Sequence, residues 1–165
     1  HGQIRRQRQM CIRDRKEPVA DINVKSSSLN SCEVSSDDVP NIIDELPILF
    51  IASCFADGIS SFNEIEELKH KESDRLKAMQ NGLDKMKIKH FSDGNVFCIE
   101  GMGKGYKVPN FLAETYYDHR IAMSFAIAGL NSNSSIEIAS PESINTSFPE
   151  FIELGKKLGC NFEIS

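Results

Sequence analysis

Lys71-Glu72-Ser73-Asp74-Arg75 stands where a loop should pass into a helix, and Asp118-His119-Arg120 stands at a second such point. Asp44-Glu45 precedes a third. The first turn of a helix offers unpaired N–H groups and the positive end of the helix dipole, which favour anions. Lysine and arginine placed there add full charge, and a planar guanidinium grips a carboxylate or phosphate with two bonds. The pattern points to an anionic ligand. Read singly, the same residues have plainer uses. Asp44 suits an N-cap worth about 1 kcal/mol, and Glu72, Asp74 and Arg75 suit a solvated helix start with local ion pairs worth a few tenths of a kcal/mol.

The elements that must position these residues follow from spacing. Alternating Val and Ile over Val19–Val24 predicts a strand. Residues 25–41 read as a Ser-, Asp- and Asn-rich loop with a short strand near Glu33-Val34. Asp44 then caps a helix with Pro47 in its first turn, running through Ile48, Phe50 and Phe55 to Gly58. Ile59–Phe62 is a strand. Ser73 caps the next helix, whose Leu76, Met79, Leu83 and Met86 share one face. Ile88–Phe91 and Val96–Ile99 form a hairpin around Ser92-Asp93-Gly94-Asn95. Asp118 caps a helix through Met123, Phe125, Ile127 and Leu130, and Ile136–Ala139 is a strand. Ser147-Phe148-Pro149-Glu150 reads as a capping box before a helix carrying Phe151, Leu154 and Leu158. Phe162–Ile164 closes as a strand. Gly101-Met102-Gly103-Lys104-Gly105 imitates a phosphate loop, but Lys104 is followed by Gly105 and Tyr106 rather than by Ser or Thr opening a helix, so it reads as a surface loop.

Asp44 and Asp118 are 74 residues apart, as are Ser73 and Ser147. Each half runs cap, helix, strand, loop, cap, helix, strand. This predicts two similar α/β units packed side by side with several helix starts converging on one face. Each start contributes about half a charge, so several together make an electropositive pocket for a polyanion.

The chain has 165 residues, with 40% hydrophobic and 26% charged, an ordinary soluble composition. The apolar run Leu46–Ala56 is too short to span a bilayer. Cys11, Cys32, Cys54, Cys98 and Cys160 are scattered, which reads as reduced thiols without a zinc site. Net charge is −5, but residues 1–15 hold five arginines against Asp14, or +4, leaving −9 elsewhere. That arm is read as foreign to the fold, with nucleic-acid binding as the competing use. Beyond it the only arginines are Arg75 and Arg120, both inside the motifs above.

Ile43-Asp44-Glu45-Leu46-Pro47-Ile48-Leu49, Glu67 through Leu76, Asp118-His119-Arg120-Ile121-Ala122-Met123-Ser124-Phe125 and Thr146-Ser147-Phe148-Pro149-Glu150-Phe151, in this order and spacing, resemble the 5-enolpyruvylshikimate-3-phosphate synthase family. The resemblance covers roughly residues 17–165. It implies a mixed α/β fold of repeated β-α-β-α-β-β units. About two of the three units of one domain are present, so that residues 16–165 form a partial C-terminal domain after the arm 1–15. It implies transfer of the enolpyruvyl group of phosphoenolpyruvate to the 5-hydroxyl of shikimate 3-phosphate, with release of phosphate. No metal or other cofactor is expected. The expected partners are these two substrates and the N-terminal domain, with no nucleic acid or membrane. The complete enzyme is expected to be a cytoplasmic monomer, and the part alone inactive.

Residue by residue, Arg75 and Arg120 match arginines that hold phosphoenolpyruvate, and Lys71 matches a lysine that contacts shikimate 3-phosphate. Asp44 matches a substrate-binding proton acceptor and Glu72 a proton donor. Asp118 remains a cap, and His119 takes a structural role. Thr146 departs from the pattern, because many members carry there a lysine that helps bind phosphoenolpyruvate. Two other readings stand beside this one. The related UDP-N-acetylglucosamine enolpyruvyl transferase shares the fold but not the paired motifs. A non-catalytic phosphate- or nucleic-acid-binding module would use the arm.

Overall fold

The computed structural model describes residue 21 and residues 23–163. The arm 1–15 and, of the strand expected at Val19–Val24, Val19, Ala20 and Ile22 lie outside the described residues; Asp21, Asn23 and Val24 lie within them and belong to no strand. Strands β1 (Leu29–Asn30) and β2 (Glu33–Val34) are followed by helices α1 (Val39–Ile42) and α2 (Leu46–Cys54), strand β3 (Ala56–Asn63) and helix α3 (Arg75–Lys85). Then come β4 (His90–Asp93), β5 (Val96–Met102), β6 (Phe111–Ala113), α4 (His119–Gly129), β7 (Ile136–Ile138) and α5 (Phe151–Lys157). β1 and β2 both run parallel to one edge of β3, β3 pairs antiparallel with β5, and β5 with β4. β6 and β7 form a separate parallel pair. The first unit is therefore a β-α-β-α-β-β layer and the second begins the same way, the mixed α/β repeat expected.

Leu46-Pro47-Ile48-Leu49-Phe50-Ile51 is apolar on nearly every side, the mark of a helix covered on several faces. α2 lies between the five-stranded sheet and α4. Phe50 meets Phe62 of β3 edge-on at 4.7 Å and Phe97 of β5 at 5.2 Å. Burying a side chain of this kind is worth about 1.5–3 kcal/mol. On α3, Leu76, Met79 and Leu83 are buried as their spacing predicts, with Met86 just past its end. Gly82 faces Phe125 of α4 so closely that an added Cβ would stand 1.9 Å from the Phe125 Cζ. The ring of α4 thus fills the space that glycine leaves on α3, and Phe125 closes edge-to-face on Phe111 at 5.8 Å.

Several expected boundaries are corrected. Asp44 caps no helix: it sits in a 3-10 turn, Ile43–Glu45, and makes no capping hydrogen bond. Its carboxylate is taken by Arg75 and Lys71 instead. α2 ends at Cys54 rather than near Gly58, because the chain turns straight into β3. Gly58 is needed there for another reason, a φ of 99° and a Cβ position 2.8 Å from the Ser31 Oγ. Asp74, not Ser73, caps α3, accepting from the Lys77 N–H at 3.0 Å. The capping box at Ser147 does not form. The Ser147 and Phe148 N–H groups donate to the Ile144 carbonyl at 3.1 and 2.8 Å, prolonging the turn Pro141–Thr146, and α5 starts at Phe151 without a side-chain cap. Phe162 and Glu163 are not in a strand, and Ile164 lies outside the described residues; Phe162 stacks on Phe151 at 5.7 Å.

Candidate active site

Arg75 is the first residue of α3, yet none of its side chain is exposed. A buried guanidinium must find carboxylates, since an unpaired charge in a low dielectric is costly. It finds three. Its Nε donates to Asp118 Oδ2 at 2.7 Å, its Nη1 to Asp44 Oδ1 at 2.9 Å and its Nη2 to Glu72 Oε2 at 2.5 Å. The two carboxylates expected to handle protons are thus held on adjacent nitrogens of one guanidinium.

Arg120 enters from α4. Its Nη1 donates to the Asp44 carbonyl and to Glu45 Oε1, both at 2.9 Å. Lys71 Nζ lies 2.6 Å from Glu67 Oε1 and 3.5 Å from Asp44 Oδ1. The turns at 44, 71–75 and 118–120 therefore converge, bringing together Asp44, Lys71, Glu72, Arg75 and Arg120. An open cavity of about 420 Å³ borders this cluster, lined by Glu72, Ser73, Asp74, Lys77, Ala78 and Tyr116.

The expected electropositive pocket is not what these residues make by themselves. Asp44, Glu45, Glu67, Glu72 and Asp118 surround Lys71, Arg75 and Arg120, so carboxylates outnumber cations. Partial burial alone would raise the Asp44 carboxyl, but Lys71, Arg120 and Arg75 outweigh it and hold it below the ordinary carboxylate range. The Glu67 hydrogen bond, reinforced by the Asp44 charge, raises Lys71 and keeps it an ammonium.

Asp118 does more than cap. Its Oδ1 accepts from the Arg120 and Ile121 N–H groups at 2.9 and 3.4 Å. Its Oδ2 takes Arg75 Nε and, at 3.1 Å, Ser73 Oγ. One fully buried carboxylate thereby joins the starts of α3 and α4. An aspartate immediately before the helical run His119–Gly129 signals the cap; the use of its second oxygen depends on a contact 43 residues away in the chain. Glu45 and Glu67, absent from the expected set, also belong to the cluster. The Thr146 hydroxyl donates to the Ser143 carbonyl at 2.7 Å.

The EPSP synthase (3-phosphoshikimate 1-carboxyvinyltransferase) family model matches residues 4–154, including most of the basic arm. A 3-phosphoshikimate 1-carboxyvinyltransferase of Zymomonas mobilis is 44% identical over 151 residues, covering 90% of this chain and 33% of that protein. One of Petrotoga mobilis is 45% identical over 142 residues, covering 86% and 32%. The solved EPSP synthase of Acinetobacter baumannii superposes with a TM-score of 0.84 at 40% identity, over 90% of this chain and 34% of that one. The chain spans about a third of the length of the relatives it matches. By sequence and by fold, it belongs to the EPSP synthase family.

Proposed function

We propose that the chain is the C-terminal part of an enzyme that transfers the enolpyruvyl group of phosphoenolpyruvate to the 5-hydroxyl of shikimate 3-phosphate. The observation that carries this reading is the shared cluster: Arg75 and Arg120, from successive repeat units, meet around Asp44, with Glu72 on the same guanidinium. Arg120 binds the phosphoenolpyruvate anion and Arg75 positions it, while Lys71 holds the phosphorylated acceptor. Asp44 takes the proton of the 5-hydroxyl as its oxygen bonds to the central enol carbon. Glu72, exposed enough to take up a proton from solvent, passes that proton to the enol methylene. Return of a proton from the resulting methyl group to the Glu72 carboxylate, with cleavage of the carbon–oxygen bond and departure of phosphate, then restores the double bond.

The charge state of Asp44 suits the first half of this task, because a carboxyl held low is ionised and ready to accept. It is a weak base while three cations surround it. An anionic substrate that engages Arg120 and Lys71 takes up part of their charge and raises the basicity of Asp44. Binding and proton transfer are coupled in this way, and each positioned acid or base contributes about 10²–10⁴-fold.

The remaining two thirds found in the relatives supply the other wall of the cleft and the cations that this cluster lacks. The completed enzyme acts as a cytoplasmic monomer, and the chain alone does not turn over. The test joins this chain to the missing two thirds of the Zymomonas mobilis relative and measures phosphate release from phosphoenolpyruvate. Release that requires shikimate 3-phosphate, with that substrate protecting Lys71 from an amine reagent at alkaline pH, supports the reading. Protection by a UDP-sugar instead, or rapid turnover by the unjoined chain, overturns it.

A further inference from the structure

Asp118 reaches the cluster through a turn that residues with a Cβ rarely enter. Tyr116 and Tyr117 carry φ of 53° and 61°, and the Asp118 N–H donates to the Thr115 carbonyl at 2.9 Å across them. Two consecutive left-handed residues are usually glycine or asparagine. Tyr117 is 74% exposed, so packing of its own ring does little to offset this conformation. Tyr116 is half exposed, and its hydroxyl accepts from Asn81 of α3 at 3.3 Å.

Both ends of the turn are pinned. Thr115 and Asp118 are fully buried. Thr115 Oγ1 donates to the Ala139 carbonyl just past β7 at 2.7 Å, and the Ala139 N–H donates to the Ala113 carbonyl at the end of β6 at 3.0 Å. The β6–β7 pair thus anchors one end, while Arg75 Nε and the α4 amides anchor the other. Strain of this kind persists only where the surroundings over-determine it.

We propose that the Thr115–Asp118 turn is a positioning device for Arg75 and Arg120, in which Thr115 and Tyr117 act through Asp118. Holding the turn in a narrow left-handed region fixes how Asp118 divides its two oxygens between the α4 amides and Arg75. A glycine at 117 enters that region freely but also leaves it freely, whereas asparagine tolerates it at less cost than tyrosine and keeps a Cβ that restricts the rest of its range. The two substitutions therefore separate strain from positioning. The consequence for substrate rests on the reading above; the consequence for Arg75 does not.

The test measures hydrogen exchange at the Arg75 Nε–H by NMR, and the melting temperature, in the 165-residue chain. Tyr117→Gly should raise the melting temperature by about 2–4 °C yet accelerate Arg75 Nε–H exchange about tenfold. Tyr117→Asn should raise the melting temperature and leave exchange slow. Thr115→Val should accelerate exchange, and Thr115→Ser should restore it. In the completed enzyme, Tyr117→Gly should raise the KM for phosphoenolpyruvate about 10- to 100-fold and lower kcat as well, because Arg75 also holds Asp44 and Glu72. Unchanged Arg75 exchange in both Tyr117→Gly and Thr115→Val overturns the proposal. Failure of the unsubstituted completed enzyme to use phosphoenolpyruvate overturns the functional reading instead, and the exchange result then decides the positioning role alone.

Discussion

Replacing Asp118 with alanine should be among the most destabilising single changes in this chain. Asp118 and Arg75 are both fully buried and their contact is 2.7 Å. Removing one partner of a buried ion pair costs about 3–5 kcal/mol, because the other charge is left behind. Here Arg75 keeps Asp44 and Glu72, which are 43% and 56% exposed, so the lower end of that range applies. The same change strips α4 of a cap serving two amides, worth about 1 kcal/mol. One carboxylate performs both tasks, so the two losses overlap, and a total of about 3–4 kcal/mol follows. With a urea slope of about 2 kcal/mol per molar, the unfolding midpoint should fall by roughly 2 M at unchanged slope. Asp118→Asn keeps an acceptor for the cap but loses the charge, and should fall by about half as much. Urea unfolding followed by circular dichroism measures both. A loss below about 1 kcal/mol for Asp118→Ala would show that Asp118 and Arg75 are not coupled as a buried ion pair.

Gly82→Ala should destabilise by about 1–2 kcal/mol despite favouring helix, because the new methyl meets the Phe125 ring at 1.9 Å; a higher melting temperature would contradict the packing described. The depressed Asp44 carboxyl stabilises the fold above its ordinary value of about 3.9, and this contribution is lost as pH falls through the lower folded value. Asp44→Asn should therefore lower the urea midpoint at neutral pH and converge with the parent in strong acid; parallel pH curves would count against the link. The buried Cys54 thiol is pushed up to about 12 by desolvation, while Cys32 is exposed. A thiol reagent at neutral pH should modify Cys32 promptly and Cys54 only on unfolding, as peptide mass mapping would show.

What was legible in the sequence was periodic or local. The buried face of α3, the hairpin at Gly94-Asn95 and the Asp118 cap all follow from spacing within a few residues. The errors arose where a distant partner took a group that a local rule had assigned. Ser73 and Asp74 are both good caps, and Asp118 from another helix claims Ser73, leaving Asp74 for the task. Asp44 has the right neighbours for a cap, but a buried guanidinium needs its charge more than a helix amide does. The convergence of the three turns was readable from the repeated pattern of elements. Their internal neutralisation was not, because Glu45 and Glu67 look like ordinary surface acids until Arg120 and Lys71 are seen beside them.

Arg120 is proposed to stand in the phosphoenolpyruvate site of the completed enzyme. The most direct measurement is the equilibrium dissociation constant of phosphoenolpyruvate, in the presence of shikimate 3-phosphate, for that enzyme with and without Arg120→Ala. Loss of a hydrogen bond to a charged group, about 1.5–3 kcal/mol, predicts binding roughly 10- to 150-fold weaker. An unchanged constant would place Arg120 outside the phosphoenolpyruvate site.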